Sequence, residues 1–331
     1  MNIPEQGERR SSVSAEPGVC VSACSTGPAR FIFNAQPDLS REEFALWSCP
    51  ECGLVSMHPQ PTEEELLRFY ASEYYGEGDA KFDQVTEGAV AMFVWWRARL
   101  LQGFLPQAGK LLDVGCGRGN FLAAMTKLGF NVYGTELTES SAARSRRKFP
   151  DRVFTGDVTS LKLDDNSFDM VTLWHVVEHL RDPALVLKEV HRILKPGGRV
   201  VLAQPNIDSL QAALGGSKWF HLDIPRHLFH FSPRSLRHLL TKTGFTVIRE
   251  SQYSIEQNPF GLLQSFLNRL GLPQNHLYHV LKNEGFKVSL LSRIGWMVTY
   301  YGLMPVAIVL SAIESLLGKG GSFYFIAEKD A

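Results

Sequence analysis

KLLDVGCGRGN, residues Lys110–Asn120, is the stretch on which the reading of the fold turns. Lys110–Val114 is a short apolar run with Asp113 near its end, the profile of a strand buried in a parallel sheet. Gly115, Gly117 and Gly119 follow at once, and Phe121–Leu128 then reads as a helix. Strand, glycine turn and helix N-terminus together bring backbone N–H groups close to a ligand, because glycine lacks the Cβ that would block the approach. A G-x-G-x-G turn alone is weak, since such turns also serve plain strand-to-helix packing. Here a downstream acid accompanies it. Asn131–Leu137 (NVYGTEL) reads as a second strand carrying Glu136 near its end, spaced as the ribose-hydroxyl acceptor of a nucleoside-binding α/β unit. A nicotinamide-type turn would space its glycines G-x-G-x-x-G, which this chain fits poorly.

With these residues the chain resembles the class I S-adenosylmethionine-dependent methyltransferases. The resemblance extends to Asp157 in FTGDV, after the third strand, and to the LKPGG turn at Leu194–Gly198 before the fifth. It runs from about Ala89 to Phe245 and resumes at Ser322. It implies a Rossmann-like seven-stranded sheet with an antiparallel last strand. It also implies S-adenosylmethionine as cofactor, lined by Asp113, Gly115, Gly117, Gly119, Asn120, Glu136, Asp157 and Trp174. Strands are expected near 111–114, 131–135, 152–155, 169–174, 198–203, 245–249 and 323–328. Helices are expected at Ala89–Leu105, with Arg97 and Arg99 wet, and at Pro183–Ile193 and Pro233–Thr243.

The chain has 331 residues, enough for one large α/β domain and a small one. Lys plus Arg and Asp plus Glu balance at 34 each, which speaks against general affinity for nucleic acid. The N-terminus, MNIPEQGERRSS, has no apolar core and does not read as a signal peptide; residues 1–18 are expected to be disordered. Five cysteines do not make a disulfide scaffold in a chain this long, and their grouping points to a metal or reduced thiols in a cytoplasmic protein. Cys20-x3-Cys24 and Cys49-x2-Cys52 are two knuckles able to hold one structural Zn2+ through four thiolates. The alternative is four ordinary cysteines. Cys116 in the glycine turn reads as a small filler residue. Cys49–Tyr75 resembles the N-terminal segment of a methyltransferase subgroup that includes sugar C-methyltransferases, in which a zinc-binding module precedes the catalytic domain. A zinc-ribbon-like module with its linker helix is therefore expected over 19–80, the helix opening on a Thr62-x2-Glu65 capping box and carrying Tyr70, Tyr74 and Tyr75. The cofactor-binding core follows at 85–257, an apolar helical insert at 258–321 and the last strand at 322–331.

The stretch Phe168–Leu180, FDMVTLWHVVEHL, carries the most chemical information. In the resembled fold its strand end faces the reactive methyl group. Enzymes methylating nucleic-acid amino groups usually show Asn/Asp-Pro-Pro-aromatic there, whereas this chain has Leu173-Trp174-His175-Val176. Ubiquinone-pathway O-methyltransferases carry Glu-x2-Glu-His at this place and bind a divalent metal; Glu178 and His179 match, while His175 replaces the first Glu. Imidazole suits a hard cation less well than carboxylate. His175 is the candidate general base. Downstream, WFHLDIPRHLFHFSP (Trp219–Pro233) resembles a segment of the same broad family, and its Arg226, His227 and His230 suit acceptor binding or bracing of the loop. His175, His179 and His227 form the catalytic candidates.

The insert contains an amphipathic stretch, Pro259–Leu272, and an uncharged one, Ile294–Ile313, long enough to span a bilayer. Both flanking strands belong to one sheet, so a single crossing is excluded. The insert is expected to be a buried helix pair, an acceptor lid, a homodimer face or a peripheral membrane contact. The expected activity is O- or C-methylation of a small molecule: a sugar, a quinone-like phenol or a lipid-linked saccharide. The alternative is an inactive cofactor-binding scaffold that recruits a partner through its zinc module.

Overall fold

In the computed structural model, residues 20–22, 24, 27–37, 42–62, 64–66, 84–105, 109–282 and 288–330 are described. The expected N-terminal tail and the tyrosines 70, 74 and 75 lie outside them. Three strands open the chain: β1 (Arg30–Ala35), β2 (Phe44–Ser48) and β3 (Val55–His58). The core then alternates α1 (Gln84–Gln102), β4 (Lys110–Val114), α2 (Asn120–Lys127), β5 (Asn131–Glu136), α3 (Glu139–Lys148) and β6 (Val153–Thr155). It continues with β7 (Phe168–Trp174), α4 (Pro183–Ile193), β8 (Leu194–Pro205), α5 (Leu210–Gly215), β9 (Phe229–His230), α6 (Pro233–Lys242) and β10 (Phe245–Ser251). Helices α7 (Asn258–Arg269), α8 (His276–Leu281) and α9 (Leu290–Leu316) form the insert before β11 (Ser322–Lys329).

The seven-stranded sheet has the order β10-β11-β8-β7-β4-β5-β6, and β11 runs antiparallel to both neighbours. From β4 the chain winds outward through β5 to β6, then crosses back to β7 and β8. The order reverses at the carboxyl ends of β4 and β7, where open α/β sheets leave a crevice. One face of the sheet packs on α1 and α2 through Leu101, Met125, Met170 and Val201. The other packs through Val171, Leu187, Leu202, Leu240 and Phe325. Fully buried aliphatic strands of this kind are what a parallel sheet covered on both faces requires.

Two features depart from the sequence reading. Strand β8 begins at Leu194, four residues before its expected start, because the LKPGG turn stays in the ladder as an irregularity between Phe168↔Leu194 and Met170↔Arg199. The N-terminal module is not self-contained either. Its sheet, β1-β2-β3-β9, takes its last strand from the core, with Val55 opposite His230. The capping box at Thr62 is formed, Thr62 N–H donating to Glu65 Oε2 (2.7 Å) and Glu65 N–H to Thr62 Oγ1 (3.2 Å).

Candidate active site

The glycine turn is built by positive φ. Gly115, Gly117 and Gly119 stand at 71°, 54° and 73°, a region other residues enter at a cost. A Cβ on Gly115 would also stand 2.7 Å from Val176 Cγ2, so only glycine lets the β4 and β7 ends approach. At Gly117 nothing lies within 4 Å of the Cβ position, leaving open space over the turn. Gly117 N–H donates to Glu136 Oε1 at 2.5 Å, which joins the turn to the end of β5. Burial pushes the Glu136 carboxyl up, against the pull of that hydrogen bond. Asp113 is buried beneath, accepting from Thr172 Oγ1 at 2.6 Å, and burial lifts its carboxyl to about 7.

Cys116 is buried under Gly134, where a Cβ would stand 2.6 Å from its sulfur, and burial pushes its thiol up to about 12. It is a packing residue. Asp157 caps the turn after β6, its Oδ1 accepting from Thr159 N (2.8 Å) and Thr159 Oγ1 (2.6 Å). Asn120 Oδ1 accepts from Lys148 Nζ at 2.9 Å.

Trp174 and His175 end β7. His175 holds φ at 55°, strained for a residue with a Cβ, while its N–H donates to Ala203 O at 2.7 Å. Both residues line a cavity on the β8–β11 side, together with Trp96, Arg97, Tyr253, Glu256, Ser322 and Tyr324. Arg97, read from the sequence as a wet surface residue, instead lies over the Trp174 ring at 5.0 Å and pairs with Glu256 at 3.6 Å. Its partner is 159 positions away in the chain, a contact that helix periodicity cannot register. Arg99 does stay outside, over Trp95. Ser322 Oγ and Trp174 Nε1 are buried without hydrogen-bond partners, as are both side-chain polar atoms of Gln204, one residue beyond Ala203. Among the polar residues lining this cavity, sequence reading missed Arg97, Glu256 and Ser322. The one available signal was polar residues at the ends of apolar strands.

Behind His175 lies a buried polar cluster. Glu178 is 1% exposed, and neither carboxylate oxygen has a hydrogen-bond partner. His175 Nδ1 faces Glu178 Oε1 at 3.5 Å, an ion-pair separation outside hydrogen-bond alignment. Burial would raise this carboxyl, but His175 and His179 outweigh it and hold the group down at about 2. His179 Nδ1 meets Arg226 O and His227 Nδ1 meets His221 O, each at 3.0 Å. Those bonds orient the Nε2 atoms, and Glu178, His179 and His227 bring three ligand atoms within 4.8 Å of one another. Burial lowers His227 to about 3 and His221 and His230 to about 4, so all three are neutral at pH 7, and His227 is the one of them in the ligand group. Arg226 is engaged by Asp223, which braces the loop. Of the three catalytic candidates only His175 lines the cavity.

In the N-terminal module, Cys20, Cys24, Cys49 and Cys52 place their sulfurs within 4.8 Å of one another. Cys20 and Cys52 are 3.7 Å apart; two thiolates sharing one tetrahedral Zn2+ at about 2.3 Å stand about 3.8 Å apart. His238 of α6 approaches Cys24 Sγ at 3.5 Å and docks the cluster on the core.

A family description reading "Methyltransferase domain" matches residues 93–250. A ubiquinone biosynthesis O-methyltransferase of Cereibacter sphaeroides is 31% identical over 176 residues, 50% of this chain and 70% of that protein. The chain belongs to the methyltransferase family. A demethylmenaquinone methyltransferase of Clavibacter sepedonicus is 32% identical over 152 residues, 42% of this chain and 62% of that protein. Several curated relatives are spanned for less than two thirds of their length, the Chlorobaculum tepidum demethylmenaquinone methyltransferase for 41%. Among solved structures, one described as a sarcosine dimethylglycine methyltransferase of Galdieria sulphuraria shares the fold. Its TM-score is 0.51 at 18% identity, covering 80% of this chain and 98% of that one. The methyltransferase sheet thus accounts for the core, with β11 as its antiparallel strand.

Proposed function

We propose that this chain transfers a methyl group from S-adenosylmethionine to a small-molecule acceptor seated in the cavity beside His175. The observation that carries the reading is the strained His175 at the end of β7, which lines the cavity while its Nδ1 faces a buried, ionised Glu178. S-adenosylmethionine supplies a methyl group activated on a sulfonium. In this reading Asp113 and the glycine turn hold its methionine part, Glu136 its ribose, Asp157 its adenine edge and Trp174 a wall between donor and acceptor. Asn120 closes the turn. Transfer is an in-line displacement, so alignment matters more than acid–base power. An acceptor hydroxyl must still lose its proton, and His175 Nε2 takes it while Glu178 keeps the ring oriented.

Arg97 and Glu256 close the other side of the cavity. Acceptors with hydroxyl groups, whether sugar, quinone-like phenol or lipid-linked saccharide, suit the unpartnered Ser322 Oγ that lines the cavity. The knuckle cysteines hold one structural Zn2+; Glu178, His179 and His227 are the donor set suited to a divalent cation near the base. The exposed insert acts as a contact surface, for a membrane or a second copy. Isothermal calorimetry tests the cofactor assignment. Glu136→Ala removes a charge-assisted hydrogen bond worth roughly 1.5–3 kcal/mol, so affinity for S-adenosylmethionine falls about tenfold or more. No binding by the parent protein, or equal binding by the variant, overturns the assignment.

A further inference from the structure

Helix α9 is the described element least reconciled with water. It extends about 40 Å at 1.5 Å per residue. Its apolar stretch has a mean hydropathy of 1.6 and is only 11% buried. Met297, Tyr300, Met304 and Ala307 pack on α7 and α8, and Ser311 and Glu314 continue that stripe toward α5. At about 100° per residue the packed stripe leaves an arc of about 220°. Ile294, Val298, Val306, Val309, Ile313 and Leu316 fill that arc, each about half exposed or more. Among the described residues of 258–321, none lines the cavity beside His175.

Two observations select the occupant. The first is the width of the arc. A second copy packed helix on helix covers one further stripe and leaves the flanks wet, whereas a bilayer surface wraps every side the protein leaves open. The second is charge. The whole chain is balanced, yet the insert holds five basic residues, Arg269, Lys282, Lys287, Arg293 and Lys319, against Glu284 and Glu314. Glu314 is buried and accepts from Gln211 N–H, so among the described residues the exposed charges of the insert, Arg269, Arg293 and Lys319, are all basic. Arg293 and Lys319 bracket the two ends of α9. A crossing is excluded, because β10 and β11 on either side of the insert pair with each other in one sheet.

We propose that α9 lies in the plane of an anionic bilayer surface, with its apolar arc at the acyl boundary and Arg269, Arg293 and Lys319 at the headgroups. This commits the contact surface named above to one partner, and it stands independently of methyl transfer. The test is flotation of the purified full chain with vesicles containing phosphatidylglycerol and with vesicles of phosphatidylcholine alone. The parent protein floats with the anionic vesicles and less with the neutral ones. Val298→Glu with Val309→Glu, both at the centre of the arc and away from packed residues, lowers flotation about tenfold or more. Leu316→Glu, at the exposed end of the helix, does the same if the double variant folds poorly. The proposal is overturned if the parent stays unbound on every vesicle, or if the variants float as well as it does. It is equally overturned if light scattering shows a dimer that the variants split without any vesicle binding, since the face is then a contact between copies. Calorimetry with S-adenosylmethionine on the same samples separates the readings: flotation without cofactor binding sustains this proposal and removes the methyl-transfer one.

Discussion

Replacing Asp113 with Asn tests the energetics of the cofactor crevice in two opposite directions. Asp113 is 3% exposed in the middle of the sheet, and its Oδ1 accepts from Thr172 Oγ1 at 2.6 Å. Burial lifts its carboxyl from 3.8 to about 7; Thr172 and Arg97 pull the other way and Glu136 adds to the rise. A folded-state pKa above the unfolded one means that the folded chain binds the extra proton between the two values. Stability is therefore fullest below about pH 4 and is lost as pH rises toward about 7. Three units correspond to about 4 kcal/mol above pH 8 and about 2 kcal/mol near pH 5.5. Asn keeps an oxygen for the Thr172 hydroxyl and carries no charge. The ligand-free variant is thus expected to be more stable than the parent by up to about 4 kcal/mol at pH 8, the gap closing toward pH 4. Binding moves the opposite way: without the carboxylate, affinity for the positively charged donor falls about tenfold or more. Urea denaturation across pH, with calorimetry at pH 8, reads both. A variant less stable than the parent at pH 8, or a stability gap independent of pH, refutes the argument that an ionised Asp113 is held there at a cost for its ligand.

Three further outcomes follow from the geometry. His175→Ala lowers methyl transfer to a hydroxyl acceptor about 10²–10⁴-fold while S-adenosylmethionine affinity, measured by calorimetry, stays within about twofold. Glu178→Gln lowers the rate of methyl transfer with cofactor affinity unchanged; unchanged single-turnover rates would remove the carboxylate from the mechanism. Protein purified without added metal carries one zinc per chain by elemental analysis; Cys49→Ser with Cys52→Ser loses it, and Cys116→Ser retains it.

The amino-acid sequence alone determined what depends on neighbours along the chain. A buried strand shows as an apolar run, a glycine turn as three alternating glycines, and a helix start as a capping residue. The seven core strands accordingly fall within a few residues of their expected places, and α4 spans the predicted Pro183–Ile193. The place of Glu136 at the end of β5, beside the glycine turn, was legible because its spacing from the turn is a local property of one β-α-β unit. The tertiary structure decided whatever joins distant segments. It drew Arg97 inward to Glu256 and Trp174, although helix periodicity leaves that residue in water. It gave the N-terminal sheet a strand from the core and brought His227 to Glu178 across a loop. It also decided how much of α9 is covered. Composition says only that a helix is apolar, whereas packing decides which faces are left for another partner.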